Sequence, residues 1–183
     1  LNFVHTIGKF GDYDGKQEND LLKVKEVNGL LIFQIAKYKN SNFDLSKIKI
    51  DGLNLPSSLK SSSNLNTRIL WLGPDNWLVF SSISDLIVKE KKQFDEADFA
   101  ITNISHSRTI IELEGNLVNE VLKKGCPLDV NTFKEGDCAN SVYNGITITI
   151  DFISNKPNKV RILGLRSFSE SLYHSITDAC LEF

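Results

Sequence analysis

The chain's 183 residues, 41% hydrophobic and 24% charged, provide enough material for one domain with a real core or two small subdomains. A net charge of −2 excludes the basic field that nucleic acid or an anionic membrane surface would require. No apolar run reaches the roughly eighteen residues of a membrane span.

In chain order, residues 8–20 are polar, glycine-rich and without periodicity, which reads as a disordered loop or as an arm that orders on a partner through Phe10 and Tyr13. Leu21–Val27 and Gly29–Lys37 read as strands joined in a hairpin at Asn28-Gly29, a favoured tight-turn pair. Pro56–Asn66 is a serine- and asparagine-rich loop. Strands at Arg68–Leu72 and Trp77–Ser82 flank the turn Gly73-Pro-Asp-Asn76. Ser84 is placed to cap a helix running to about Phe94, with Leu86, Ile87 and Phe94 inward and Lys89, Lys91 and Lys92 outward.

The second half repeats the alternation. Phe99–Ile104 and Arg108–Glu114 are strands, the latter with Thr109, Ile111 and Leu113 on one face and Glu112 and Glu114 on the other. Gly115-Asn116 breaks the strand and Asn116 can cap the helix Leu117–Lys124. Gly125 fits a left-handed helix end and Pro127 prevents continuation. Cys138–Tyr143 is a further strand. Next, Ile146, Ile148, Ile150 and Phe152 share a strand face opposite Thr147, Thr149 and Asp151. Lys156-Pro-Asn158 turns into Val160–Leu165, and Ser167-Phe-Ser-Glu170 has the spacing of a capping box. The final helix places Phe168, Leu172, Ile176, Ala179 and Phe183 on one face.

The expected organisation is an arm at 1–20, one β-rich and helical subdomain at 21–98 and another at 99–183, together an α+β module with an internal duplication. Arg68-Ile-Leu70 and Arg161-Ile-Leu163 suggest equivalent strands. Three cysteines, Cys126, Cys138 and Cys180, are odd in number and far apart, which fits neither a disulfide framework nor a zinc site. They imply a reduced, cytoplasmic protein. No methionine occurs, and the first residues lack the basic and apolar regions of a signal peptide.

No assembled chemistry is legible. No two histidines have metal spacing, and no dinucleotide fingerprint, Walker loop or nucleophile elbow appears. His106 reads as a turn or interface histidine, or as a general base if a partner and a cleft surround it. Cys126 follows two lysines, which favour a thiolate, but it lies past a helix C-terminus, which opposes one. It is either a functional thiol or a packed residue. Trp71 and Trp77 are core residues or interface anchors.

Four segments, Trp71-Leu-Gly-Pro-Asp-Asn-Trp-Leu78, Ser105-His-Ser-Arg-Thr109, Lys124-Gly-Cys-Pro-Leu-Asp129 and Arg166-Ser-Phe168, together resemble the gamma subunit of heterotetrameric sarcosine oxidase. The resemblance covers roughly residues 67–183. It implies the folate-binding fold of the glycine-cleavage T-protein, an internal duplication of ββαβββα units. It also implies a non-catalytic subunit that packs on an alpha subunit, with beta and delta subunits in the same complex. FAD, FMN, NAD and tetrahydrofolate are then expected in the partners and no cofactor in this chain. The T-protein's Gly-Gly-x-x-Asp-Asp pattern is degraded here to Asn144-Gly-Ile-Thr-Ile-Thr-Ile150, without the acids, and Asp151 comes too late in register to replace them. A stand-alone folate-binding or one-carbon transfer protein of the same fold is the alternative. Arginine makes up only four of the 21 basic residues, so those inside family-like motifs are interface candidates. The candidates are Arg108, Arg166 and His106, with Trp77 as the aromatic anchor.

Overall fold

The computed structural model describes residues 22–183 and the backbone of Tyr13–Asp14. The expectations for the side-chain anchors Phe10 and Tyr13 and for most of the arm at 1–20 fall outside the described residues. The elements are β1 (Tyr13–Asp14), β2 (Lys23–Glu26), β3 (Leu31–Lys37), β4 (Lys49–Ile50), β5 (Leu53–Asn54), β6 (Ser61–Ser63), β7 (Thr67–Gly73), β8 (Asn76–Ser81), α1 (Leu86–Glu90), β9 (Phe99–Asn103), β10 (Arg108–Glu114), α2 (Val118–Gly125), β11 (Cys138–Tyr143), β12 (Ile146–Asn155), β13 (Asn158–Leu165) and α3 (Ser169–Cys180). They form two compact units, one of Gly29–Ser105 and one of His106–Phe183 with the chain up to Asn28.

The Gly29–Ser105 unit holds an antiparallel sheet in the order β6-β7-β8-β3-β9. Its strands alternate, so Phe33, Ile35, Ile69, Trp77 and Val79 fall on one face and bury there with Leu86 and Phe94. Phe99 meets Phe94 edge-on at 5.3 Å between ring centroids.

The other unit holds a sheet in the order β1-β2-β10-β13-β12-β11. Ile111, Leu113, Ile148, Ile150, Val160 and Ile162 pack there with Val118, Val121 and Leu122 of α2 and with Leu172 and Ile176 of α3. The helices thus cover the face that the strand periodicity marks as apolar.

Leaving out β1, the two sheet orders are the same. β3, β6, β7, β8 and β9 of one occupy the places of β10, β11, β12, β13 and β2 of the other. The duplication is therefore present, but its equivalences differ from the sequence expectation. β7 corresponds to β12, so Arg68 and Arg161 are not on equivalent strands. The place of α2 is taken in the Gly29–Ser105 unit by a 3-10 turn at Leu45–Lys47 and the β4–β5 hairpin.

Two expected pairings give way for one reason. β2 and β3 form no hairpin across Asn28-Gly29, although Gly29 has a positive φ of 82°. Instead β2 pairs with β10, Val24 opposite Leu113, and β9 pairs with β3. Each sheet thus gains its strand beside β3 or β10 from across the expected subdomain boundary. Buried apolar contacts decide strand pairing, and a local turn signal does not.

Helix starts also differ. α1 begins at Leu86 after Asp85, α2 after Leu117 and α3 after Phe168, none with a side-chain cap hydrogen bond. Ser84, Asn116 and the Ser167–Glu170 box therefore do not cap. Arg166–Phe168 winds instead as a 3-10 turn into α3, which leaves Phe168 exposed and not inward. Gly125 is not at positive φ. A Cβ there would lie 2.7 Å from the Tyr143 ring, so glycine is required by close packing.

Candidate interaction site

Most of the motif residues serve the fold. In the β7–β8 turn, Asp75 takes a left-handed φ of 56° and its carbonyl accepts the Lys37 N–H at 2.8 Å. Trp77 is 4% exposed and its Nε1 donates to the Pro56 carbonyl at 3.0 Å. This corrects its reading as an exposed anchor: the β8 register turns the ring into the core beside Val79. Trp71 is only partly buried and lines an open groove of about 500 Å³ with Trp77, Leu45, Leu55 and Pro56.

The Lys124–Asp129 segment fastens α2. The Tyr143 hydroxyl donates to the Val121 carbonyl at 3.0 Å across the surface of Gly125. Cys126 is buried, with Sγ 3.3 Å from the Ser141 hydroxyl. Asp129 Oδ1 accepts the Asn131 N–H at 3.2 Å and caps the next turn. Lys124 pairs with Glu182 and lies 5.7 Å from the Phe183 ring centroid. Cys126 is thus a packed residue. Burial pushes the Cys180 thiol up to about 12 and raises the Tyr143 phenol as well, so neither ionises near neutral pH.

Asn144-Gly145 forms the β11–β12 turn with both residues at positive φ. Asp151 is 1% exposed and paired in register with Arg161 on β13, so it is held within the sheet. Among the described residues, no three His, Cys, Asp or Glu side chains are grouped to hold a metal ion.

Charge is arranged in rows across the same sheet. Register places Lys25, Glu112, Arg161 and Asp151 side by side on four neighbouring strands, with alternating sign. Glu112 is 4% exposed and accepts from Arg161 Nε at 2.8 Å and from Lys25 Nζ at 3.2 Å. Burial raises the Glu112 pKa, while the hydrogen bond and charge of Arg161, then those of Lys25, lower it to below its ordinary value. Periodicity placed Glu112 opposite Ile111 but gave no sign that it is buried. The signal was present in Lys25 and Arg161, whose charges balance it once the strands pair.

Ser105 closes the β3–β9 pairing, accepting the Ile32 N–H at 2.8 Å. Three of the sequence candidates remain together at one end of β10 and β13. His106 is exposed, Arg108 is partly buried opposite Leu165, and the Arg166 N–H donates to the Ser107 carbonyl at 3.0 Å. Leu165 and Phe168 are 42% and 47% exposed there. Burial lowers the Arg108 pKa from its ordinary value. Arginine thus stands on the same strand ends and the turn that expose Leu165 and Phe168.

Residues 39–182 match the model of the sarcosine oxidase, gamma subunit family. Two sarcosine oxidase gamma subunits from Corynebacterium are similar. That of strain U-96 is 26% identical over 72% of this chain and 66% of its own length, and that of strain P-1 is 29% identical over 64% and 58%. The chain thus spans less than two thirds of those relatives' length. In solved structures, a chain of the heterotetrameric sarcosine oxidase from Corynebacterium sp. U-96 superposes with a TM-score of 0.78 at 24% identity, over 88% of this chain and 85% of that one. Glycine cleavage system aminomethyltransferase T from Bartonella henselae superposes at 0.63 and 12% identity, over 84% and 44%. The fold is the folate-binding fold of that enzyme.

Proposed function

Since the chain belongs to the sarcosine oxidase gamma subunit family, we propose that it is the non-catalytic gamma subunit of a sarcosine oxidase complex. It packs on and stabilises the alpha subunit, with beta and delta subunits in the same assembly. That complex oxidises sarcosine with oxygen and passes the methyl carbon to tetrahydrofolate, giving glycine, hydrogen peroxide and methylene-tetrahydrofolate. FAD, FMN, NAD and tetrahydrofolate belong to the partner subunits. The location is cytoplasmic. It agrees with three cysteines that form no disulfide, and no helix of the described residues is long and apolar enough to cross a membrane.

The observation that carries the reading is what the matched residues do. The tryptophan hairpin, the helix end at Gly125 and the Ser105 junction are used up in packing, and the Arg108–Phe168 surface is left over. The test is to express the chain with the flavin-bearing chains encoded beside it. A stoichiometric complex that loses thermal stability when this chain is omitted is expected. A chain that stays alone beside intact alpha and beta partners would overturn the proposal.

A further inference from the structure

The two duplicated sheets differ at one end. β2 and β9 hold the same place, but on the outer side of β2 the sheet carries one strand more. That strand is β1, with Tyr13 opposite Val24 and Asp14 opposite Lys23. Beside β9 the same place holds no strand among the described residues. The other ends of the two sheets, β11 and β6, show no such difference. β9 is thus an edge where its counterpart is covered by a short extended segment.

The backbone of β9 is set out for a neighbour. The Ile104 N–H donates to the Ile32 carbonyl at 2.9 Å, and the Tyr38 N–H donates to the Asp98 carbonyl at 2.8 Å. Residues of an antiparallel strand alternate in the side to which they bond, so Ala100 and Thr102 also bond towards β3. Ile101 and Asn103 then turn their N–H and carbonyl groups outward, and among the described residues no backbone group meets them there. Sheet edges are commonly blunted by charge, by proline or by a cover. Phe99-Ala-Ile-Thr-Asn103 has neither charge nor proline, whereas the covered strand β2 is Lys23-Val-Lys-Glu26.

A hollow of about 340 Å³ lies against the same strand, lined by Phe94, Phe99 and Ile101 with Tyr38, Lys91 and Glu96. Phe94 and Phe99 belong to the core and Ile101 packs on it, so the apolar face continues to the sheet edge. Lys91 and Glu96 pair with each other at 3.5 Å, so their charges offset. These features select the occupant. A small molecule fills the hollow but not the row of backbone groups. A second copy, β9 against β9 about Ile101, sets polar Asn103 opposite Phe99. An extended chain with a large apolar residue matches both the row and the hollow.

We propose that the outer edge of β9 accepts one extended strand from a partner subunit, which seats a large apolar or aromatic side chain in the hollow at Phe94 and Phe99. The inference rests on the subunit reading above and specifies one contact of that subunit. Backbone hydrogen bonds hold the strand, and the hollow selects the residue it presents.

The test uses the full chain, alone and in the complex co-expressed with its flavin-bearing partners, with hydrogen exchange read at single amides. In the chain alone, the Ile101 and Asn103 amides should exchange about tenfold or more faster than those of Ala100 and Thr102, and complex formation should slow them to a similar extent. Asn103→Pro removes an outward N–H and keeps the β3 ladder and the hollow. It should weaken association severalfold relative to Asn103→Ala, while the two variants melt within about 2 °C of each other. Ile101→Ala keeps the N–H, narrows the apolar lining and should also weaken association severalfold. Exchange in the wild-type chain tests the proposal whatever Asn103→Pro does to folding. Slow exchange at Ile101 and Asn103 in the chain alone means that the chain or a second copy already covers the edge, and overturns the proposal. Exchange at both that complex formation leaves unchanged, or Asn103→Pro binding as well as Asn103→Ala, overturns this proposal alone. Failure of any complex to form overturns the subunit reading and this one together.

Discussion

At the scale of single residues, a sequence motif and its physical cause can part company. Gly125 was readable as a helix end, and the helix does end there, but the reason lies in Tyr143, eighteen residues on in sequence. Gly125→Ala should destabilise the chain by about 1–3 kcal/mol through overpacking. The same substitution made in Tyr143→Ala should cost much less, because the clashing ring is gone. Equal costs in the two backgrounds, read from urea unfolding, would mean that backbone conformation matters and the ring does not. Glu112 gives a second prediction, with its sign fixed by the depressed pKa. Its folded pKa lies below 4.5, so its stabilisation is fully present above that value and is lost as pH falls through the folded pKa. Glu112→Ala should cost about 3–5 kcal/mol at pH 7 by leaving Arg161 and Lys25 unbalanced. The gap between mutant and wild type should narrow below pH 4.5. A gap that stays constant down to pH 3 would show that the carboxylate's charge is not what matters.

Secondary elements were legible where apolar residues alternate along a strand. The isoleucine face of β12 follows strict alternation and emerges as read. The helix caps were not legible. A serine or asparagine at the right spacing is compatible with a cap but does not compel one, and at α1, α2 and α3 the chain enters through turns instead. Strand partners were least legible of all, because pairing is decided by residues far away in sequence. Val24 makes this testable. Val24→Asp should unravel the edge beside β10, so hydrogen-exchange protection falls at Glu112 and Leu113 and holds at Phe33 and Ile35. The hairpin expected from Asn28-Gly29 predicts the reverse pattern.

For the whole molecule, the fold is shared with the aminomethyltransferase structure, and the sequence resemblance implies that the Gly-Gly-x-x-Asp-Asp acids of that group are missing from Asn144–Ile150. Isothermal calorimetry of the isolated chain with tetrahydrofolate should therefore show no binding at millimolar ligand. Micromolar binding would favour a folate protein acting alone. The duplication was visible in sequence as a repeated order of elements, but its true equivalences were not, since β2 and β9 trade places relative to the chain's midpoint. That exchange governs how the protein is born. Translation delivers β2 before any of Gly29–Ser105, yet its neighbour β10 emerges only after all of it. Until β10 emerges, β2 leaves the ribosome with the ladder groups it will offer that strand unmatched, open to any stray strand nearby. Guarding that interval is a task for the nascent chain's surroundings, and it falls on Lys23, Lys25 and Glu26, whose charges keep the waiting strand from sticking.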